Sequence, residues 1–279
     1  MQLKISPLRN TIVSAIEFFC DLYRHKNMIF SLTLRDFKGR YAGSLLGILW
    51  AFLQPLTMMM ILWFVFTVGL KAGSPRNNIP FVAWFFTAMI AWNFFADALL
   101  ISSNALSEYS FLVKKVKFQI ALLPLIKIFS SVILHSVFIL LLMVVLIFNG
   151  IFPNFYWAQS IYYLAGTLVL LTGLGWITSS LSVFLKDTGQ IVGIIIQFGF
   201  WATPVIWDPS SVSAKYSRLI KLNPMYYIVD GYRESFLYRK AIWESSPYLI
   251  FYFWIVALTI FFFGYFLFRK LRPHFADVL

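Results

Sequence analysis

Three ionisable side chains, Asp97, Lys127 and His135, stand inside long apolar segments of this sequence. Charges are costly in such surroundings unless they have partners. Asp97 and Lys127 would lie at similar depth on consecutive membrane spans, so the sequence predicts an Asp–Lys ion pair, and a structural pair is favoured over a proton relay. A lone histidine such as His135 is more typical of a buried, hydrogen-bonded side chain than of a ligand.

Few residue patterns in the chain are suited to catalysis. The sequence has no HExxH motif, no His or Cys cluster at metal-ligand spacing, and no Gly-Lys dipeptide from which a phosphate-binding P-loop could be built. A membrane enzyme acting on polyprenyl phosphates would need several acidic or His groups at one membrane face. The single Cys20 excludes an intrachain disulfide. These features disfavour an enzyme, and any ATP-driven action must depend on another polypeptide.

The elements that would hold these residues are membrane spans. Hydrophobic residues make up 60% of the 279 positions and charged residues 12%, which predicts an all-α polytopic membrane protein. Six apolar stretches are long enough to be considered spans. They cover residues 42–70, 79–103, 119–148, 158–185, 188–207 and 247–268.

The distribution of cations predicts the orientation of these spans. Arg35, Lys38 and Arg40 end abruptly where the first apolar stretch begins, which places its start in the cytoplasm. An even number of spans then puts both termini in the cytoplasm. Residues 1–34 are predicted to form an amphipathic interface helix region, and residues 35–279 the six-span domain. The N-terminal helix could lie on the membrane or cover a partner protein.

Two connections between spans have charged, amphipathic sequences. The turn at 104–118 carries Glu108 and the cluster Lys114, Lys115 and Lys117. It would either press on a soluble partner or meet lipid phosphates. The segment 208–246 predicts two short helices on the outer side, separated at Pro224, with Asn223 capping the second. These helices would form a lid or a plain surface loop.

Aromatic side chains supply one fifth of the chain. They are too numerous and too widely spread for interfacial belts alone. Sugar rings stack on aromatic faces, so these rings would suit a passage for a glycan, although packing against lipid is the simpler interpretation for any single ring. The candidate channel aromatics are Trp50, Trp63, Trp84, Phe85, Trp92, Phe95, Phe198 and Trp201.

Small residues recur at a spacing of four. Gly39, Gly43, Gly47 and Ala51 would stack on one face of the helix entering the membrane, and Gly189 and Gly193 repeat the pattern. Such a stripe predicts close approach of another helix, within the subunit or across a dimer.

Four motifs follow one another along nearly the whole chain. They are RDFKGRYAGSLLGILW at 35–50 followed by QPL at 54–56, FLVKKVKF at 111–118, FWATPVIW at 200–207, and LNPMYYIVDGYR at 222–233. In this order they resemble the membrane subunit of ABC-2-type polysaccharide exporters, which move O-antigen, capsule or teichoic-acid chains. Gln119 departs from the family pattern, where proline is expected.

The resemblance implies a transport subunit, not an enzyme, in the cytoplasmic (inner) membrane. It implies a homodimer bound to two copies of an ABC ATP-binding subunit, which would hold ATP and Mg, while this chain would bind no cofactor or metal. The substrate would be an undecaprenyl-diphosphate-linked polysaccharide, most simply O-antigen, with membrane lipids but no nucleic acid as other partners. An exporter of a drug or small lipid, or an enzyme of lipid-linked glycan assembly, are the alternatives.

The resemblance also implies roles for particular residues. The N-terminal helix and the turn with Glu108, Lys114, Lys115 and Lys117 would contact the ATPase. The cations before the first span would, by their own chemistry, either serve as ordinary positive-inside anchors or hold a lipid diphosphate by charge-assisted hydrogen bonds, and the predicted diphosphate site consists of Arg35, Lys38, Arg40 and Tyr41. The predicted outer gate consists of Asn223, Pro224, Tyr226, Tyr232 and Arg233.

Overall fold

The computed structural model describes residues 24–71, 79–111 and 119–278. Within these ranges the chain is helical and has no β-strand, which confirms the predicted all-α class. The α-helices in chain order are α1 (Lys26–Arg40), α2 (Leu49–Phe64), α3 (Phe81–Ser103), α4 (Ala105–Glu108), α5 (Leu122–Phe148), α6 (Ser160–Phe184), α7 (Thr188–Ala202), α8 (Ala214–Ile220), α9 (Pro224–Arg233), α10 (Pro247–Leu271) and α11 (Phe275–Val278). Most of the predicted N-terminal interface helix lies outside the described residues.

Five segments of the described chain are long and apolar enough to cross a membrane, so the protein is a multi-pass membrane protein. They are Leu49–Gly69, Phe81–Ser103, Leu122–Phe148, Phe155–Phe184 and Pro247–Val278. The first includes a π-helical turn at Val65–Gly69, and the fourth begins with the 3-10 turn Phe155–Gln159.

The sixth predicted stretch forms only the shorter apolar helix α7, of 15 residues. At ~1.5 Å per residue such a helix is about 22 Å long, less than the ~30 Å hydrocarbon core. It ends because Thr203 precedes Pro204 and takes an extended conformation, with φ −97° and ψ 136°, as residues before proline commonly do. The count of six spans therefore stays a prediction.

The predicted glycine stripe at the first span is wrong. Residues 41–48 form turns, and α2 begins only at Leu49. Gly43 and Gly47 have φ values of +85° and +52°, a left-handed region that glycine adopts without a Cβ clash. A Cβ at either position would meet nothing within 4 Å. These glycines therefore permit the turn between α1 and α2 and do not pack against a helix within the subunit.

Close helix packing occurs instead between α6 and α10. A Cβ built on Gly264 would lie 2.3 Å from the carbonyl oxygen of Gly173, and one built on Gly173 would lie 2.6 Å from the backbone of Phe261. Small residues at such crossings let backbones approach closely, which provides van der Waals contact where lipid offers no hydrophobic driving force.

Helix α3 occupies the centre of the bundle, packed against α5, α6, α7 and α9. It is buried around most of its circumference, with Ala83, Phe85, Ala88 and Ala98 fully inaccessible. Helix α2 lies at the edge, with large apolar side chains such as Met60 and Phe64 exposed. The bundle thus presents α2 to lipid or to another subunit, while α3 positions the polar groups described next.

Candidate functional site

A cluster of charged side chains joins α1 to α5 where α1 enters the bundle. The Lys127 ammonium lies 2.7 Å from the Asp36 carboxylate and also contacts the carboxylate of Glu108. Tyr109, directly after α4, donates a 2.7 Å hydrogen bond to Asp36, and its ring lies beneath the Lys127 ammonium at 4.9 Å. Side chains from three helical segments therefore meet around one buried ion pair.

Asp36 is the buried acceptor of this cluster, with its side chain only 2% exposed. Burial on its own would raise its pKa, but Lys127, Arg40 and Tyr109 more than offset that effect, so the pKa of Asp36 lies below its ordinary value of 3.8. Burial and the hydrogen bond to Asp36 raise the pKa of the Tyr109 phenol. At neutral pH the carboxylate is therefore ionised and the phenol remains a donor.

Arg40 lies at the C-terminus of α1 and uses several guanidinium nitrogens. It pairs with Asp36 at 3.0 Å, and donates to the backbone carbonyl of Lys127 at 3.0 Å and to the Ser131 hydroxyl at 3.4 Å. It also lies 3.6 Å from the Asp97 carboxylate, which accepts a 2.7 Å hydrogen bond from Ser131. A planar guanidinium is suited to such multiple contacts. Arg40 therefore connects α1 to both α3 and α5.

The predicted direct pair between Asp97 and Lys127 is wrong. Lys127 pairs with Asp36 and Glu108, and Asp97 is held by Arg40 and Ser131. The two residues do lie at neighbouring positions on α3 and α5, since Arg40 contacts the Lys127 carbonyl and the Asp97 carboxylate together. Asp97 and Lys127 do not pair with each other because α1 supplies a partner to each of them: Arg40 for Asp97 and Asp36 for Lys127.

Beside this cluster lies a cavity of about 490 Å³, here called the interface cavity. Of the predicted diphosphate-site residues, Arg35 and Arg40 line it, together with Lys127. Arg35 and Lys38 are exposed, whereas Arg40 is half-buried and engaged by carboxylates. Tyr41 is half-buried and faces a different cavity. Arg35 and Lys38 are thus the members of the predicted set best placed to meet an external anion.

The predicted ATPase contact is described only in part. Glu108 ends α4 and its side chain is 51% exposed while it contacts Lys127. Lys114, Lys115 and Lys117 lie outside the described residues. Glu108 therefore connects the buried cluster to the surface at the start of the predicted coupling turn.

A second cavity, of about 330 Å³, lies between α2, α3 and α5 and is here called the membrane cavity. Its polar lining includes Gln54, Asn93, Asp97 and Ser131. His135 also lines it, and is 2% exposed. The Nε2 atom of His135 is 2.8 Å from the Tyr232 hydroxyl, while its Nδ1 has no hydrogen-bonding partner within the described ranges.

The structure divides the candidate channel aromatics by burial. Trp50, Phe198 and Trp201 are 48%, 79% and 58% exposed. Trp63 is partly buried against the main core. The others fill the interior of the bundle: Trp84, Phe85, Trp92 and Phe95. Rings of that second group touch helices of their own subunit and do not line an accessible surface in this conformation.

The residues predicted to form an outer gate are mostly buried. The Asn223 side chain accepts from the Met225 N–H at 3.0 Å as the cap of α9, with Pro224 at the first helical position, and donates to Thr203 at 2.7 Å. Tyr226 and Tyr232 are 7% and 1% exposed. Helix α9 is packed against α3, α6 and α10, so in this conformation it forms part of the bundle.

Arg233 fixes the end of α7 to the bundle. It is 2% exposed, donates to the carbonyls of Pro204 and Val205 at 2.8 Å each, and stacks 3.4 Å from the Trp84 ring centre. Burial lowers its pKa to about 10, which leaves it charged at neutral pH. Its role in this structure is to satisfy the carbonyls of an irregular turn.

The sequence that forms this architecture matches a known family of membrane proteins. The ABC-2 type transporter family profile matches residues 27–237, three quarters of the chain, a range that contains α2 to α9 and all but the first residue of α1. The chain belongs to the ABC-2 type transporter family. This ABC-2 permease is therefore a transport subunit and not an enzyme, and permeases of this family work with ATP-binding subunits.

Relatives of the ABC-2 permease are similar over most of their length. An O-antigen export system permease protein of Klebsiella pneumoniae is 27% identical, covering 91% of this chain and 95% of the relative. One of Myxococcus xanthus is 28% identical, covering 81% and 86%. A polysialic acid transport protein of Escherichia coli is 22% identical, covering 74% and 79%.

Sequence reasoning missed three members of the charged cluster in the permease: Asp36, Tyr109 and Ser131. A signal for Asp36 was present, since it lies four residues before Arg40 on a predicted helix, the spacing at which opposite charges meet. Tyr109 and Ser131 carry no charge and could be found only from the fold. In residues 24–71, 79–111 and 119–278 no group of three His, Cys, Asp or Glu side chains is arranged to hold a metal.

Proposed function

We propose that this ABC-2 permease exports a polysaccharide linked to undecaprenyl diphosphate, of the O-antigen type, across the cytoplasmic membrane. It would act as a homodimer with two copies of an ATP-binding subunit, which supply ATP and Mg, and both termini would lie in the cytoplasm. The observation that carries this proposal is the similarity to O-antigen export permeases along 91% of the chain.

The interface cavity supports a role in holding the lipid diphosphate. Arg35 and Lys38 are exposed on α1, and Arg35 lines the cavity together with Lys127. Exposed cations at a membrane interface can bind phosphate oxygens by charge-assisted hydrogen bonds. Arg40 and Tyr41 would support the site without facing its ligand. Arg40 would do so through the ion pairs that fix α1, and Tyr41 lines the neighbouring membrane cavity.

The exposed aromatics support a path for the glycan. Trp50 on α2, and Phe198 and Trp201 on α7, present rings at the surface of the subunit. If two subunits enclose a passage between such surfaces, these rings would offer stacking faces without holding the sugars in fixed positions. Trp84, Phe85, Trp92 and Phe95 would support that surface from inside the bundle.

Depletion of the permease tests this function. The lipid-linked glycan should then accumulate on the cytoplasmic side of the membrane. A sugar-specific lectin should detect it in inside-out vesicles but not in right-side-out vesicles, and re-expression of the permease should return the glycan to the outer side. Loss of glycan synthesis without accumulation would indicate an enzyme of glycan assembly. Unchanged glycan with altered drug or lipid export would indicate the other transport function, and either result would refute the proposal.

A further inference from the structure

We infer that the membrane cavity binds a neutral sugar ring, namely the sugar nearest the diphosphate of the exported lipid-linked chain. This inference rests on the proposed function and adds a binding site to it. The residues that carry it are His135, Asp97, Asn93, Gln54 and Trp50, which come from α2, α3 and α5.

The first observation is that the cavity is a built polar site at the depth of the membrane spans. His135 is almost fully buried, lines the cavity, and leaves Nδ1 without a partner among the described residues. A buried nitrogen without a hydrogen bond is destabilising, so a ligand that forms a hydrogen bond with it would gain binding free energy at this position. The other ring nitrogen is already occupied by Tyr232, which fixes the orientation of the imidazole.

The second observation is the hydrogen-bonding character of the lining. Asp97 offers carboxylate oxygens as acceptors, and the Gln54 and Asn93 amides each offer donors and an acceptor. A sugar has several hydroxyl groups, each of which donates and accepts. The lining therefore complements a polyhydroxyl ligand, since it can both receive and supply hydrogen bonds around a ring.

The third observation is an aromatic wall. Trp50, which is 48% exposed, lines the cavity together with the buried rings of Phe94 and Phe138. Aromatic side chains provide a flat apolar face, which suits the C–H face of a pyranose while polar groups meet its hydroxyls. The volume of about 330 Å³ is at the lower end of the ~300–1,000 Å³ typical of small-molecule sites. It suits a small group and not a long segment of polymer.

Charge argues against an anion in the same cavity. Asp97 faces the cavity, and the neighbouring Arg40 is already paired with Asp36 as well as Asp97. A phosphate would be repelled by the carboxylate and would find no uncommitted cation there. A neutral ring carries no such penalty. The anionic part of the substrate is better placed at Arg35, on the other side of Arg40.

Arg40 lies between the two cavities and places them side by side. It lines the interface cavity, while its guanidinium contacts Ser131 and Asp97, which line the membrane cavity. A diphosphate at Arg35 and a sugar at Asp97 would therefore be separated by one side chain. The junction between the diphosphate and the first sugar is the part of the substrate that has these two chemistries adjacent.

Site-specific photocross-linking in membranes that contain the whole exporter tests the inference. Met58→p-benzoylphenylalanine puts a photoreactive group at the cavity lining, and Met60→p-benzoylphenylalanine puts the same group on α2 away from it. In cells that incorporate radiolabelled sugar, we expect a sugar-labelled adduct from position 58 and none from position 60. Adding Asn93→Leu should lower the yield at position 58 about three- to tenfold, the effect of one lost hydrogen bond.

The outcomes separate this inference from the proposed function. If the wild-type chain exports the glycan but position 58 captures only phospholipid, the sugar site is refuted while the export function stands. Equal sugar labelling at positions 58 and 60 would also refute it, since that result would indicate contact without a site. If the wild-type chain exports no glycan, the proposed function fails first and the inference fails with it.

Discussion

Lys127 on α5 holds Asp36 on α1 across a distance of 2.7 Å, and both side chains are at least 95% buried. The pair fastens the helix that carries the exposed cations to the membrane bundle. Glu108 and Tyr109 lie near the start of the connection that follows α3. Glu108 contacts Lys127, and Tyr109 contacts both Asp36 and Lys127. A movement of that connection would therefore displace α1 through these contacts.

Breaking this pair on one side should destabilise the permease strongly. Asp36→Asn or Lys127→Met would leave a buried charge without its main partner, a change that costs about 3–5 kcal/mol. The double substitution should recover part of that loss, because neither charge then remains. Equilibrium denaturation in detergent measures the change, with Lys186→Met at an exposed cation as the control. Equal destabilisation by the double and single variants would show that the pair is not the cause.

Acid should remove the contribution of Asp36 to stability. Its folded-state pKa is below the ordinary carboxyl value of 3.8 because Lys127, Arg40 and Tyr109 outweigh the effect of burial. The stabilisation is therefore complete above the unfolded-state pKa and is lost as the pH falls through the lower folded-state pKa. The difference in unfolding free energy between wild type and Asp36→Asn should therefore be constant near pH 6 and become smaller as the pH falls from 3.8 to 3. A constant difference across that range would contradict this prediction.

The contact between α6 and α10 should not tolerate a methyl group. Gly173→Ala would place Cβ 2.6 Å from the backbone of Phe261, so the helices must separate, at a cost of about 1–3 kcal/mol. Gly193→Ala on α7 is the matched control, since a Cβ there meets nothing within 4 Å. Denaturation midpoints of the two variants should differ clearly. The packing account fails if both variants are as stable as wild type.

Arg233 should not be replaceable by lysine. Lysine has no planar fork to donate to the Pro204 and Val205 carbonyls while stacking on Trp84. Loss of one charged hydrogen bond costs about 1.5–3 kcal/mol, so Arg233→Lys should lower the stability and increase protease cleavage near residue 204. Arg239→Lys, at an exposed position, serves as the control. Unchanged cleavage in Arg233→Lys would rule out this anchoring role.

The sequence predicted the helical class and the long spans because their length and apolar composition are local properties. It also predicted the capped start of α9, since Asn223 followed by Pro224 is a local signal. The sequence could not predict that Lys127 pairs with Asp36 and not with Asp97, because this pairing depends on where α1 packs. The glycine stripe failed for a related reason: spacing of four is informative only where the chain is helical, and Gly43 and Gly47 lie in turns.

The residue types of the candidate site could be predicted from the sequence, but which of those residues remain free to bind a ligand could not. The cations Arg35, Lys38 and Arg40 were visible as a group, but only the fold shows that Arg40 is engaged by carboxylates. Burial decides which aromatics reach a surface, and a sequence with so many rings gives little sign of it. Trp84 is an example: the sequence predicts a channel residue, but in the structure its ring is buried beneath the Arg233 guanidinium.

The most direct test of the account is transport by the purified permease with its ATP-binding subunit in proteoliposomes. With the ATP-binding subunits facing outward, added lipid-linked glycan should become protected from an external glycosidase only when ATP is present. Arg35→Gln combined with Lys38→Gln should lower that rate at least tenfold, since the loss of even one charge-assisted hydrogen bond costs about 1.5–3 kcal/mol, while Lys186→Gln leaves it unchanged. ATP hydrolysis without any protection of the glycan would refute the proposed export function.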